Sequence, residues 1–396
     1  MSSTGLRAVI VGGGIGGVAA AMALTRVHFD VRVYEQARQL TEVGAGVVLA
    51  PNSLRLLEGL GLGDEISRWG IRLTDTRLCQ ADGRVAVHDP DRFSRPGERV
   101  GIHRADLLTM LADHLPDGVV LPGHRCVGFT QDDDHAVVSF DNGESVEADV
   151  VIGADGIHST LQGYVVEPSE PVFSGVVAYR GVIPAEQVPS WPAGTMRLWM
   201  GDGKHFLVFP VRAGQLLNYV GFVPSDTQMR ESWSAPGDPV ALATEFAGWD
   251  PVIGAIIDAI GTTGFRWGLY DRAPLHRWGQ GRLTLLGDAA HPMLPHMGQG
   301  VNQAIEDGIA LATMLDAVGR SDVPKALAAY ETLRRDRTAR IQEGSRLNGV
   351  SYDASGAVHG GRDRESGGGL QNRRWIYDYD VEAEAAPVAA ALRAGG

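Results

Sequence analysis

The sequence predicts an α/β fold: a Rossmann-like nucleotide-binding domain with an inserted, mostly β domain. Three observations carry this. A strand, a glycine-rich turn, a helix, a second strand and an acid follow one another from Leu6 to Glu35. Aromatic-rich strands fill Val172 to Val223. A late apolar run, Gly281 to Leu286, passes through a Gly- and Pro-rich turn into a helix at Val301 to Val318. Open α/β sheets bind ligands beyond the carboxyl ends of their strands, where both glycine turns fall.

Leu6 to Val11 is short, apolar and β-branched, as in a buried strand. Gly12-Gly13-Gly14-Ile15-Gly16-Gly17 follows, then helix formers from Val18 to Val27, and a strand from Asp30 to Tyr34 that ends at Glu35. This is G-x-G-x-x-G with its full context, and the acid lies about twenty residues on. Gly12 permits the tight turn, Gly14 lets a pyrophosphate approach, and Gly17 lets helix and strand pack closely. Glu35 is suited to ribose hydroxyls. The unit alone fits NAD or FAD equally.

Gly44 and Gly46, within Glu42 to Val47, suggest a second close approach to a flat ligand or a plain loop. Ser53 to Leu60 reads as a helix and Leu73 to Val87 as one or two strands. Asp89 to Glu98 reads as a polar loop, and a helix opens around Ile102 to Leu107 with Arg104 near its start. Ala136 to Ala148 is a hairpin about Asn142-Gly143. Asp149 to Gly153 is a strand leading into Ala154-Asp155-Gly156, where Asp155 either contacts a cofactor or stabilises the turn. Pro239 to Ile260 is helical, and Gly264 to Tyr270 is a strand returning to the first domain. These readings assign 1–72, 98–170 and 270–345 to the nucleotide-binding domain. They assign 73–97 and 171–269 to the inserted substrate domain, and 346–396 to a flexible segment with a closing helix.

The turn Gly287-Asp288-Ala289-Ala290-His291-Pro292-Met293-Leu294-Pro295-His296-Met297-Gly298-Gln299-Gly300 organises the chain. Backbone N–H groups at a helix start lack intrahelical partners and attract electron-rich atoms. Gly298 and Gly300 clear side chains from that backbone, and Asp288 stands at the end of the strand.

Composition bounds the function. With 396 residues, 44% hydrophobic and 21% charged, the chain can bury a large core. A net charge of -13 argues against nucleic-acid or anionic-membrane partners. An anionic substrate would need local positive charge. Cys79 and Cys126 have neither metal nor disulfide spacing, and no signal-like or membrane-length apolar segment is read, so a cytoplasmic location is expected.

Taken together, the Gly12–Gly17 turn with Glu35, the Asp155-Gly156 motif and Gly287 to Pro292 resemble the single-component FAD-dependent aromatic hydroxylases, the para-hydroxybenzoate hydroxylase family. The resemblance runs from about Leu6 to Arg340 and implies bound FAD. The cofactor-binding residues it implies are Gly12, Gly14, Gly17, Glu35, Gln36, Gly46, Val47, Arg104, Asp155, Asp288, Gly298, Gly300 and Val301. Glu35 would hold the adenosine ribose, Arg104 the pyrophosphate, Asp288 the ribityl chain, and 298–301 the flavin pyrimidine. NADH or NADPH would be the transient co-substrate, with O₂ and a small aromatic compound completing the reaction through a flavin C4a-hydroperoxide.

Leu294-Pro295-His296 is similar to the salicylate hydroxylase and 6-hydroxynicotinate 3-monooxygenase turn. Gly203-Lys204-His205-Phe206 is similar to a pocket segment of hydroxynicotinate and 3-hydroxybenzoate enzymes. A phenolate is a better nucleophile than a phenol, so a base helps, and histidine titrates in the right range. His296 is the expected base and His205 its positioning partner; His291 is expected to be structural. Phe209 stands where those relatives carry a tyrosine, and Gln162 where an arginine often follows Asp-Gly. The implied substrate is a phenolic or hydroxypyridine carboxylic acid, and the enzyme a monomer or homodimer. The same fold also serves epoxidases, urate-type hydroxylases and tailoring enzymes, and a non-catalytic flavoprotein is a further alternative.

At the end of the chain, Val323 to Leu347 reads as a long helix with Glu331, Arg334, Arg335, Asp336, Arg337 and Arg340 mostly solvated. Asp353 to Gly369 reads as flexible. Trp375 to Tyr379 and an Ala-rich helix read as a closing segment over the first domain or a partner subunit.

Overall fold

Arg7–Val11 is buried after its first residue because strands pair with it on both sides. Asp30–Glu35 and Val150–Gly153 flank it in parallel, with Val120–Pro122 and Leu283–Leu285 outside them and Gly279–Gln280 as an antiparallel edge. The computed structural model describes residues 5–40, 45–88, 98–226, 237–261, 264–353 and 373–395. Expectations for Glu42 to Gly44, for most of the 89–98 loop and for 354–369 fall outside them.

Helix Ile15–Arg26 crosses helix Gly300–Leu315 through small residues. A Cβ on Gly308 would lie 2.9 Å from the Ala20 Cα, and one on Gly16 3.0 Å from the Ala304 Cβ. Close-packed interiors leave no room for either, so the two glycine turns are held side by side.

The second large sheet has seven strands, in the order Phe265–Asp271, Val172–Pro184, Leu216–Pro224, Lys204–Val211, Thr195–Gly201, Asp75–Gln80, Val85–His88. Side chains alternate between its faces. Val177, Tyr179, Trp199, Phe206, Val208 and Tyr219 face a core shared with Ile253, Ile256 and Ile257. Ala178, Arg180, Leu207, Phe209, Asn218, Val220 and Phe222 face the other way, toward the nucleotide-binding sheet.

The structure corrects three local expectations and takes one of the two alternatives left for the tail. The helix expected over Pro239 to Ile260 is two, Pro239–Glu245 and Pro251–Asp258. Pro251 lacks an N–H, and Asp250 caps the second helix by accepting from the Val252 N–H at 3.0 Å. The long helix continues to Asp353, so 346–353 are helical rather than flexible. Tyr352 is buried there and Asp353 holds a histidine. Arg334 is buried and Arg337 nearly so, because the carboxylates of Glu306 and Asp307 lie opposite them, also buried. The tail packs on the first domain: Arg55 donates to the Tyr377 and Tyr379 carbonyls at 3.0 and 2.6 Å, and Arg337 to those of Trp375 and Ile376 at 3.2 and 3.0 Å.

Candidate active site

A cavity of about 610 Å³ lies between the two large sheets, and every residue of the expected cofactor set lines it. Gly12 has φ +111°, and a Cβ there would run into the Ala154 carbonyl. A Cβ on Gly17 would strike the Gly12 carbonyl, whereas Gly14 faces open space. The first two glycines are therefore needed by the fold and the third is free to face a ligand. Glu35 accepts from the Gly13 and Ala37 N–H groups at 2.6 and 2.7 Å. Each carboxylate oxygen keeps a lone pair for a ribose hydroxyl.

Asp155 serves both readings made of it. Its Oδ2 accepts from the Thr160 and Leu161 N–H groups at 2.8 and 3.3 Å, which holds the turn. Its Oδ1 is buried at the cavity wall without a hydrogen bond. Burial raises its pKa against the opposing pull of hydrogen bonds from Ser159, Leu161 and Thr160. A buried acceptor with no protein donor is costly, and a polar ligand at the wall would relieve that cost.

Asp288 is exposed to the cavity beside Gly300, whose added Cβ would lie 3.9 Å from its Oδ1. Gly298 adopts φ +62° with nothing within 4 Å of an added Cβ. The backbone here is thus open, at the start of a helix of 16 residues. Asn302 locks it in place: its Oδ1 accepts from Ala50 N–H at 2.8 Å, and its Nδ2 donates to Gly298 and Val48 carbonyls at 2.7 and 3.1 Å. Arg104 begins its helix, its N–H bonded to the Ala45 carbonyl at 3.0 Å. Gly46 N–H donates to Asn218 Oδ1 at 2.7 Å and ties the short strand Gly46–Leu49 to the seven-stranded sheet. Open glycines, helix-start donors and the unsatisfied Asp155 oxygen fit a dinucleotide cofactor.

Beneath this wall lies a buried charge cluster. Arg334 donates to Glu306 at 2.5 Å and to Asp307 at 2.8 Å, and Arg337 adds a bond to Glu306 at 2.9 Å. His291 meets Asp307 at 2.6 Å, consistent with its expected structural place. Burial alone would raise the Asp307 pKa, but the facing His291 and Arg334 bring it down to about 2. Asn52 joins Glu306 to Gln299 at 2.6 and 3.2 Å. The cluster fixes the helix that presents Gly300.

The two expected catalytic histidines are placed differently from expectation. His296 and His205 lie together, ring centroids 5.1 Å apart, but neither lines the cavity. The short turn Pro295–Met297 leaves Leu294 and Pro295 on the wall. It puts the His296 ring against Gly349, where an added Cβ would come within 2.7 Å of Cδ2. Burial first, and then the neighbouring His205, lower the His296 pKa to about 3. His205 Nδ1 pairs with Asp353 at 2.8 Å; burial lowers its pKa and Asp353 partly restores it. One nitrogen of each ring, His296 Nδ1 and His205 Nε2, has no hydrogen bond. Tyr352 donates to the His296 carbonyl at 3.1 Å.

Phe209 lines the cavity, so the wall is apolar at that position. Gln162 is buried and donates to the Ala289 carbonyl at 2.9 Å. Sequence reasoning missed Arg180, Trp267, Asn218 and Asp353. The one available signal was a lone arginine within an otherwise apolar strand, Val176 to Ile183.

Residues 6–345 match the family described as FAD binding domain. A 3-amino-4-hydroxybenzoate 2-monooxygenase of Streptomyces platensis is 37% identical over 394 residues, covering 96% of this chain and 97% of that one. A salicylate hydroxylase of Pseudomonas putida is 34% identical, over 98% of this chain and 96% of its own. The solved structure of a salicylate hydroxylase substrate complex aligns with TM-score 0.81 and 29% identity, over 97% of this chain and 98% of that one. The chain belongs to the FAD binding domain family and, within it, to the flavoprotein monooxygenases.

Proposed function

We propose that this enzyme hydroxylates the ring of a phenolic or hydroxypyridine carboxylic acid, using NADH or NADPH and O₂. The relatives' substrates motivate the ring class. The observation that carries the reading is one continuous cavity. One end is open glycine backbone, the other an aromatic and aliphatic wall, and the 292–301 turn joins them. Bound FAD supplies the redox and oxygen chemistry. The chain supplies the rest. Glu35 and Arg104 are suited to the adenosine and pyrophosphate, and Asp288 to the ribityl hydroxyls. Gly298, Gly300 and Val301 offer backbone to the flavin edge, where N–H groups stabilise negative charge. Leu207, Phe209, Val220 and Phe222 keep water from the ring.

His296 is the proposed proton acceptor, one layer behind Leu294 and Pro295, with His205 as its positioning partner. Burial keeps its ring neutral and lowers its basicity. An imidazolium formed there would be stabilised by the phenolate it creates. Asp353, partly exposed beyond His205, offers a route to water. Two free buried cysteines suit a reducing cytoplasm.

The test is a panel of hydroxybenzoates, aminohydroxybenzoates and hydroxynicotinates, scored for stimulated NAD(P)H oxidation with product identification. A panel giving no hydroxylated product counts against the reading. His296→Ala should retain FAD and lose hydroxylation about 100-fold; full turnover near neutral pH would remove His296 from the mechanism.

A further inference from the structure

We infer that Arg373, in the C-terminal segment, is a positioning residue of the active site: its guanidinium braces, from behind, the turn that meets flavin and substrate. The inference rests on the flavoprotein hydroxylase reading above and adds the tail to the parts of the chain that set the site's geometry.

Pro295–Met297 is a single tight turn, and the Gly298 N–H closes it on the Pro295 carbonyl at 2.9 Å. So short a turn satisfies one carbonyl internally, and those that follow need donors from elsewhere. The Gly298 carbonyl accepts from Asn302 Nδ2 at 2.7 Å and the Gln299 carbonyl from the Gln303 N–H at 2.8 Å, both donors lying in the helix that follows. The His296 and Met297 carbonyls are met from outside that helix. Arg373 donates through Nη1 to the Met297 carbonyl at 3.3 Å and through Nη2 to the His296 carbonyl at 3.4 Å. Nη2 also donates to the Tyr352 hydroxyl at 3.1 Å, and that hydroxyl donates to the His296 carbonyl at 3.1 Å. A planar fork thus spans two successive carbonyls, which a point charge cannot copy.

The mount behind Arg373 is firm. Its own carbonyl accepts from the Ile376 and Tyr377 N–H groups at 2.9 and 3.0 Å, at the start of the short helix Arg374–Tyr377. Arg337 and Arg340 stack on Tyr379 and Trp375, 3.7 and 3.9 Å from the ring centres. Ile376 and Tyr377 pack with Ala50, Ile341 and Met297 itself. On the cavity side of the turn, Leu294, Pro295, Gly298 and Gly300 line the wall, and Arg373 is not among the described lining. Arg373 therefore acts through the turn. It fixes backbone N–H groups suited to the negative charge that a reduced flavin carries at its edge, and it fixes the Leu294–Pro295 wall beside the substrate.

The experiment compares wild type, Arg373→Met and Arg373→Lys as flavin-loaded, full-length enzymes. The first readout is the reduction potential of the bound flavin, measured against reference dyes. With the turn released, less negative charge is stabilised. Arg373→Met should shift the reduction equilibrium about tenfold toward the oxidised form, a potential about 30 mV lower for two electrons. The second readout is kcat, with the share of NAD(P)H oxidation that ends in hydroxylated product. Both should fall by about tenfold or more, because a displaced turn misplaces the reacting groups. Arg373→Lys should recover part of each loss. A purely structural anchor would lower the denaturation midpoint and leave the potential where it was, and that outcome in flavin-loaded Arg373→Met overturns the inference. Should Arg373→Met fail to fold or to hold FAD, Arg373→Lys carries the test: its potential must fall, and an unchanged value overturns the inference. Failure of the hydroxylase reading is seen separately, as a wild type that hydroxylates no acid while the potential still reports on Arg373.

Discussion

At one end of the cavity the wall is backbone: Gly12, Gly14, Gly298 and Gly300 give space and N–H groups, with Glu35, Asp155 and Asp288 at the edges of their turns. At the other end the wall is side chain: Arg180, Leu207, Phe209, Val220, Phe222 and Trp267 stand on four strands of one sheet. The first end is fixed wherever an added Cβ would strike backbone, as at Gly12 and Gly17, and open at Gly14 and Gly298. The second is built of side chains on a sheet and can vary residue by residue while the fold stays intact. Substitutions at the two ends should therefore fail in different ways.

The largest effect belongs to the backbone end. Gly12→Ala forces a Cβ into the Ala154 carbonyl at a φ that L residues rarely adopt. Loss of folded, flavin-bearing protein is expected on purification. Gly14→Ala is the sharp contrast. Its φ is -70° and an added Cβ meets nothing within 4 Å. Urea unfolding of the apoprotein should shift by less than about 0.5 kcal/mol, while FAD retention falls. If Gly14→Ala kept its full flavin content, the cofactor would not approach there.

Next in size is the charge cluster under that wall. Arg334→Met leaves Glu306 and Asp307 buried with one guanidinium or imidazole each. Removing one partner of such a cluster costs about 3–5 kcal/mol. A denaturant midpoint equal to wild type would mean that the carboxylates take up protons instead. This is also where sequence reading failed most clearly. Arg334 sits in a charge-rich helix that looks solvated in isolation, and only the packing of Gly300–Leu315 against it makes that face interior.

The same division explains what was legible. Glycine turns, strands and the acid at Glu35 are encoded within about thirty residues, because a phosphate-binding turn is local. Arg180 meets Trp267 through a pairing of strands 87 residues apart, and that register cannot be read from spacing. His296 shows the intermediate case. Its place in the turn was readable, but the direction of its ring is decided by Gly349 on a distant helix.

A smaller effect is expected at Asp288, which is exposed to the cavity. Asp288→Ala should leave apoprotein stability near wild type and weaken FAD affinity by about tenfold, the worth of one or two hydrogen bonds to a charged acceptor. Equilibrium dialysis against FAD reads this directly, and unchanged affinity would detach Asp288 from the ribityl chain.

The smallest effect separates the two ends by pH. His296 titrates at about 3 in the fold, and His205 and His103 are also lowered, by burial first in each case. Unfolded histidine binds its proton near pH 6.5. Below that pH the unfolded state therefore holds more protons, and stability falls as pH falls, by up to about 1.4 kcal/mol per unit for each such ring. Asp307 works in a lower window. Its pKa is brought to about 2 from 3.8, so its contribution is present above 3.8 and is lost only as pH drops through 3.8 toward 2. Between pH 6 and 5 the slope thus reports buried histidines, His296 and His205 at the side-chain end and His103 beside Arg104, and not Asp307 under the glycine turns. His296→Gln should flatten that slope by the share of one ring, as read from urea unfolding at each pH. An unchanged slope would mean that the His296 ring takes up a proton within the fold, and the dry layer drawn behind Leu294 and Pro295 would then be wet.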